Sequence, residues 1–329
     1  MNDLKKHILV IGLGSMGKRR IRLMRERDDV VIFGVDGQEE RRHEAEDIFC
    51  ISTYRNIKEA LQNVKFDCAF VCTSPLSHAS IINQCLENDL HVFTEINLVG
   101  DGYEDNIALA KQKGKVLFLS STFLYRKETQ YIIDAALQAE GKLNYNYHVG
   151  QYLPDWHPWE SYNNYFIGDE RTNGCREIMA IDLPWLVSAF GKIKNVQALK
   201  SKNTTLNISY NDNYLMLIEH ESGTKGVFAV DVVSRKAVRK FELYGENIYL
   251  TWNGTPDSLK LYNIADKQET SINFENASEH IDGYASFVSE TPYREEINAF
   301  FDEINGRKAA KWDIEKDKHI LQVIDQIEA

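Results

Sequence analysis

The hexapeptide Gly12-Leu13-Gly14-Ser15-Met16-Gly17 constrains this chain more than any other feature. It has the G-x-G-x-x-G pattern, follows an apolar run from His7 to Ile11 and opens a helical pattern from Ser15 to Arg27. In that setting each glycine has a physical task. Gly12 permits a tight turn, Gly14 lets the backbone approach a pyrophosphate, and Gly17 lets helix and strand pack closely. The helix, with Ser15 and Met16 in its first turn, then presents backbone N–H groups to phosphates. Asp36 ends the next apolar run, Val30 to Val35. A carboxylate there hydrogen-bonds adenosine ribose hydroxyls and repels a 2′-phosphate, so the expected cofactor is NAD rather than NADP. Arg41 and Arg42 lie nearby and weigh the other way.

Up to about residue 120, short apolar runs alternate with helical patterns. After the first two strands, Cys50 to Ser52, Asp67 to Cys72, His91 to Thr94 and Val116 to Ser120 read as strands. Glu39 to Glu46, Asn56 to Gln62, Leu76 to Asn88 and Tyr103 to Lys113 read as the intervening helices. The strands are unbroken apolar runs, as expected for a parallel sheet covered on both faces. The expected fold is therefore α/β, with a doubly wound Rossmann domain over 1–122. A second domain over 123–329 starts with a helix from Lys127 to Glu140. An aromatic-rich stretch from Tyr152 to Arg171 and a helix from Arg176 to Phe190 follow. From Val196 to Tyr262 successive strands are separated by turn signals such as Ser222-Gly223 and Asn253-Gly254. Helices return over Arg294 to Asn305 and Asp313 to Ile327, and these last helices can pack back on the first domain.

Composition narrows the function. The 329 residues carry 38 Lys+Arg against 49 Asp+Glu, a net charge of -11, which argues against a nucleic-acid partner. No apolar run approaches the length of a membrane helix. The five cysteines include no C-x-x-C pair, and they read as reduced core residues of a cytoplasmic protein. The histidines are scattered without metal-ligand spacing, so no metal site is expected.

Further segments resemble one family, the Gfo/Idh/MocA oxidoreductases, over nearly the whole chain. Cys72-Thr73-Ser74-Pro75-Leu76-Ser77-His78 is similar to the family's segment after the fourth strand. The resemblance implies that Thr73, Ser74, Pro75 and His78 face the ribose and nicotinamide side of the cofactor. Thr94-Glu95-Ile96-Asn97 stands where the family carries Glu-Lys-Pro, which brings Glu95 and Asn97 to the cofactor. The resemblance also implies a second domain built on a large, mostly antiparallel sheet, through which the family forms homodimers or homotetramers. The chain departs from the family at two positions. Ile96 replaces the lysine that contacts both substrate hydroxyl and cofactor. Asp182 stands at or within one residue of the family's acid/base histidine.

Hydride transfer from a carbinol needs a group that takes the hydroxyl proton and titrates near neutral pH. The segment Gln151 to Glu160 concentrates one histidine, two acids and two tryptophans. Histidine is the side chain whose ordinary pKa suits that task, so His157 is the expected acid/base, with Asp182 as its orienting partner or a substrate ligand. Asp182 reads equally well as the N-cap of a helix starting at Leu183-Pro184. Trp156 and Trp159 suit stacking on a sugar ring, and Arg126, Arg176 and Glu177 are further candidate substrate ligands. The reading is an NAD-linked oxidoreductase acting on a sugar or nucleotide-linked sugar. Two rivals stand beside it: an NAD-dependent elimination or hydrolysis enzyme without net redox change, and a non-catalytic NAD-binding protein.

Overall fold

A computed structural model describes residues 5–158, 160–274 and 289–329. The chain divides into two compact units, Met1–Ser120 with Tyr293–Lys318, and Ser121–Pro292 with His319–Ala329.

In the first unit, β1 (Lys6–Ile11), α1 (Ser15–Met24), β2 (Val30–Val35), α2 (Glu39–Phe49), β3 (Ser52–Tyr54) and α3 (Ile57–Asn63) follow one another. Then come β4 (Cys68–Val71), α4 (Pro75–Glu87), β5 (His91–Thr94), α5 (Tyr103–Lys113) and β6 (Leu117–Leu119). The six strands form one parallel sheet in the order β3-β2-β1-β4-β5-β6, the doubly wound arrangement expected from the alternating runs. The order reverses between β1 and β4, and ligands bind such sheets at that switch point, beyond the carboxyl ends of the strands. Phe70, Phe93 and Phe118 stack across β4, β5 and β6, with centroids 4.7 and 5.2 Å apart, and Phe300 closes them edge-on. Helix α2 runs beyond the expected Glu46 and ends where Cys50 takes the left-handed conformation (φ 52°), so β3 begins at Ser52 rather than Cys50.

The second unit contains α6 (Lys127–Gln138), β7 (Asn144–Gly150), α7 (Gly174–Phe190), β8 (Ile193–Ser201) and β9 (Asn213–His220). Strands β10 (Lys225–Asp231), β11 (Val238–Tyr244), β12 (Tyr249–Trp252), β13 (Lys260–Asn263) and β14 (Gln268–Ser271) follow. Helices α8 (Thr291–Ile304) and α9 (Ile314–Glu328) end the chain. The eight strands form a sheet in the order β14-β13-β12-β11-β7-β10-β9-β8, antiparallel except where β7 lies parallel to β10. One face is aromatic and buried: Tyr145, Tyr147, Phe228, Phe241 and Trp252 lie there, with Trp185 of α7 packed edge-on to Tyr147 and Phe241. Burial alternates along β9, so its other face is open, as the period-two strand pattern requires. Helix α7 begins at Gly174 under an Asn173 cap and carries Pro184 inside it. Asp182 is therefore an interior helix residue and not an N-cap.

Candidate active site

In the first unit the glycine motif has the geometry its sequence demands. Gly12 has φ +94°, and a Cβ there would sit 2.7 Å from the Cys72 carbonyl oxygen. A Cβ on Gly17 would sit 1.9 Å from the Gly12 oxygen, so only glycine allows α1 to approach β1. Gly14, the N-cap of α1, meets nothing closer than the Arg41 Nη1 at 3.9 Å and leaves the approach open. A cavity of about 480 Å³ adjoins, lined by Gly12, Gly14, Asp36, Arg41, Arg55, Thr73 and Ser74. Ser15 and Met16 lie in the first turn of α1, where helices receive anions.

Asp36 is buried at the end of β2. Its Oδ2 accepts from the Leu13 amide (2.9 Å) and its Oδ1 from the Gln38 amide (2.9 Å). A carboxylate has roughly four lone-pair sites, so two backbone bonds leave room for ribose hydroxyls. Arg42 donates from Nη1 to the Asp36 carbonyl (2.9 Å), whereas Arg41 is half-exposed with Nη1 3.7 Å from Asp36 Oδ2. Of the two arginines, Arg41 is the one that lines the cavity.

Pro75 opens α4 behind Ser74. His78 is buried, with Nε2 2.9 Å from the Thr73 carbonyl and Nδ1 2.6 Å from Asn97 Oδ1. Burial lowers its pKa, which keeps the ring neutral. Its contacts are with the loop backbone and with Asn97. Glu95 is held by an interior cation: Arg20 donates from Nε to Oε1 (2.6 Å) and from Nη2 to Oε2 (3.0 Å). The same Nη2 reaches Ser120 Oγ (3.1 Å) and Glu296 Oε2 (2.9 Å). Neither Arg20 nor Glu296 was singled out in the sequence. The available signal was a cation at Arg20 on the inward stripe Gly17, Ile21 and Met24 of an otherwise apolar helix face.

In the second unit most of the singled-out polar residues are engaged. Asp182 is fully buried. Its Oδ1 accepts from Tyr147 Oη (2.5 Å), Trp185 Nε1 (2.9 Å) and the Arg239 guanidinium. Arg126 donates to Glu128 (3.3 Å) and to the Gly254 carbonyl (2.8 Å), and lies over the Trp252 ring. Arg176 pairs with Asp325 (2.5 Å) and with Glu328. Trp156 is partly buried and donates its indole N–H to the Gln151 carbonyl (3.0 Å). Trp159 lies outside the described residues.

His157 and Glu177 differ from these. His157 is 36% exposed, its Nδ1 is 2.9 Å from Glu160 Oε1, and its ring stacks on Tyr165 at 4.7 Å. The Tyr165 hydroxyl is buried without a hydrogen-bond partner among the described residues. Burial, Glu177 and Glu160 all raise its pKa. Glu177, in the first turn of α7, keeps some surface exposure, yet its dense surroundings push its carboxyl up to about 7. Burial is the cause, with no charged partner offsetting it among the described residues. His157, Tyr165 and Glu177 thus form a cluster with one carboxyl poised near neutrality. No group of three or more His, Cys, Asp or Glu able to hold a metal occurs among the described residues.

Residues 6–121 match the model of the Gfo/Idh/MocA oxidoreductase family, NAD-binding Rossmann fold. Mouse biliverdin reductase A is 28% identical over 129 residues, 38% of this chain and 42% of that protein. The match therefore spans less than half of the curated relative. A biliverdin reductase from Synechocystis sp. PCC 6803, solved with biliverdin and NADP+, has a TM-score of 0.76 at 18% identity, covering 98% of this chain and 97% of its own. The WlbA dehydrogenase from Chromobacterium violaceum, solved with NADH and UDP-GlcNAcA, has a TM-score of 0.79 at 15% identity, covering 99% and 94%. At these identities the two structures establish the fold.

Proposed function

We propose that this chain, whose residues 6–121 match the model of the Gfo/Idh/MocA oxidoreductase family, moves a hydride between NAD and a sugar or nucleotide-linked sugar. The observation that carries the reading is the Gly12-Gly14-Gly17 turn beside the buried Asp36 carboxylate. The WlbA neighbour supports the substrate class. We assign proton transfer to Glu177, assisted by the Tyr165 hydroxyl, rather than to His157 or Asp182. His157 is tied to Glu160 and Asp182 to Arg239, whereas the Glu177 carboxyl titrates where a general base works best. His157 and Trp156 remain proposed substrate contacts. Thr73, Ser74 and Asn97 are proposed to shape the cofactor site. The likeness to biliverdin reductase A in part of the chain supports a second reading, reduction of a linear tetrapyrrole. Turnover of biliverdin but of no sugar nucleotide would replace the substrate class and leave the cofactor assignment intact.

Asp36 should select NAD. A ligand that binds only the folded state raises stability by about 2.7 kcal/mol at a hundredfold excess over Kd. NADH should therefore raise the melting temperature more than NADPH, and Asp36→Ala should erase the difference. An equal or larger shift with NADPH in the native protein would contradict this and point to Arg41 as a phosphate ligand.

The open sheet face is proposed to join copies of the chain. Leu199, Leu215 and Leu217 are each more than half exposed, Leu199 pairs across strands with Leu215, and Leu217 with Val227. Contiguous apolar patches of this kind mark association surfaces. Light scattering should find a dimer or tetramer for the native chain and a folded monomer for Leu215→Asp with Leu217→Asp. A native monomer, or a variant that stays oligomeric, would refute the proposal.

A further inference from the structure

The amino-terminal edge of the parallel sheet, opposite the cavity beside Gly14, holds a second cavity of about 690 Å³. Strands β1, β4, β5 and β6 lie side by side and start there, so their first residues stand in a row about 4.8 Å apart. Lys6 opens β1, Asp67 directly precedes β4, His91 opens β5, and Lys115 stands two residues before β6. All four line the cavity, and Lys65 joins them. Backbone bonds fix the row. The Asp67 amide donates to the His7 carbonyl (2.9 Å), the His91 amide to the Asp67 carbonyl (3.2 Å) and the Val92 amide to the Val116 carbonyl (2.8 Å).

Charge here runs against the chain as a whole, which carries -11. Three lysines and two aspartates line the cavity. One aspartate is occupied, since Asp89 pairs with Lys113 at 3.1 Å. The other, Asp67, accepts from the His7 amide (2.8 Å). None of Lys6, Lys65 and Lys115 has a carboxylate within 4.0 Å among the described residues. Three ammoniums against one open carboxylate leave two positive charges in excess. Lysines at such a place often serve helix carboxyl ends, which carry partial negative charge. The bordering helix ends are closed by other groups. Lys113 donates to the Glu87 carbonyl (2.7 Å), Asn88 Nδ2 to the Gln84 carbonyl (2.8 Å) and Asn63 Nδ2 to the Glu59 carbonyl (2.8 Å). His91 adds a donor of fixed position. Its Nδ1 accepts from the Val116 amide (3.0 Å), so the neutral ring carries its proton on Nε2. That N–H has no acceptor among the described residues. Burial, Lys115 and Lys6 lower the His91 pKa against Asp67, which keeps the ring neutral.

We propose that this cavity binds a phosphate group, free or as the ester of a small molecule, through Lys6, Lys65 and Lys115, with the His91 Nε2–H as its directed donor. A phosphate dianion matches the excess of two positive charges. Ammoniums hold phosphate as point charges, and a hydrogen bond to an ionised oxygen is about twice as strong as a neutral one. Cavities of about 300–1,000 Å³ take whole small molecules, so the organic part of an ester fits beside its phosphate. Asp67 opposes the anion and is outnumbered by the lysines. The inference is independent of the hydride-transfer reading, because it uses none of the residues assigned to that site.

The test is proton–nitrogen NMR of the His91 ring in the full chain, at about 0.15 M KCl to screen loose ion pairing. Following His91 separates this cavity from any phosphate bound beside Gly14. Inorganic phosphate or glucose 6-phosphate should move the Nε2 resonance with a Kd below about 1 mM. Tighter binding of the ester would support an esterified ligand, and equal binding a free phosphate. Sulfate, which keeps its charge across the titration, should raise the His91 pKa by about one unit, as a nearby opposite charge does. Lys6→Gln with Lys115→Gln should weaken phosphate binding at least about tenfold. Lys192→Gln with Lys236→Gln removes the same charge from exposed positions elsewhere and should leave binding unchanged. A His91 signal that stays still in the native protein up to about 10 mM phosphate, or equal weakening in both double variants, would overturn the proposal.

Discussion

Arg20→Met should lower stability by about 3–5 kcal/mol, the usual cost of removing one partner from a buried ion cluster. Arg20 is wholly buried, and it serves two carboxylates at once, Glu95 at 2.6 Å and Glu296 at 2.9 Å. Methionine fills a similar volume, so the loss would come from stranded charge and not from a cavity. The two glutamates would then take up protons on folding. The variant should recover part of its stability as pH falls, because the folded state binds protons that the unfolded state does not. Urea unfolding of native chain and variant at two pH values measures both effects. A loss under about 1 kcal/mol would show that Glu95 and Glu296 find other donors. Glu95→Gln should cost less, since Glu296 and Ser120 still engage Arg20.

Glu177→Gln should lower kcat for alcohol oxidation by about a hundred- to ten-thousandfold, the usual contribution of a general base. A base must be ionised to accept a proton. Native activity should therefore rise with pH through about 7 and then level, following the Glu177 carboxyl. In the glutamine variant that limb should vanish. Affinity for NADH should stay the same, because the cavity beside Gly14 proposed for the nucleotide is lined by other residues. Tyr165→Phe should slow the reaction and shift the limb, since the phenol and the carboxyl interact. His157→Ala should cost less than Glu177→Gln. The reverse order, with the pH limb kept in Glu177→Gln, would return the base to His157.

The sheet of the first unit was legible because local physics writes it down. Runs such as Cys68–Val71 are apolar on both faces, and Gly12 and Gly17 stand where any Cβ would collide with backbone. The turn beside Asp36 was legible for the same reason, since Asp36 and the glycines are close in sequence and their conformations follow from backbone geometry. The group now proposed for proton transfer was not. What distinguishes Asp182 from Glu177 is Arg239, 57 residues beyond Asp182, which neutralises one acid and leaves the other to burial alone. Arg20 was missed likewise, because Glu296 lies 276 residues away. Helix boundaries drifted where a single backbone conformation decides them, as at Cys50. Pro184 left a helix start after Asp182 open as an alternative because proline lacks an N–H, yet Asn173 caps that helix upstream.

The central claim is that the chain transfers a hydride between NAD and a sugar nucleotide. The direct measurement is a single turnover of the protein with stoichiometric NAD+ and a panel of UDP-linked hexosamines and their uronic acids, following reduced-nicotinamide absorbance with biliverdin and NADH as a parallel arm. The account predicts formation of NADH in stoichiometric amount with at least one sugar nucleotide, abolished by Glu177→Gln while NADH binding persists. Tight NADH binding with no redox change in either arm would contradict it and favour a non-redox or non-catalytic role.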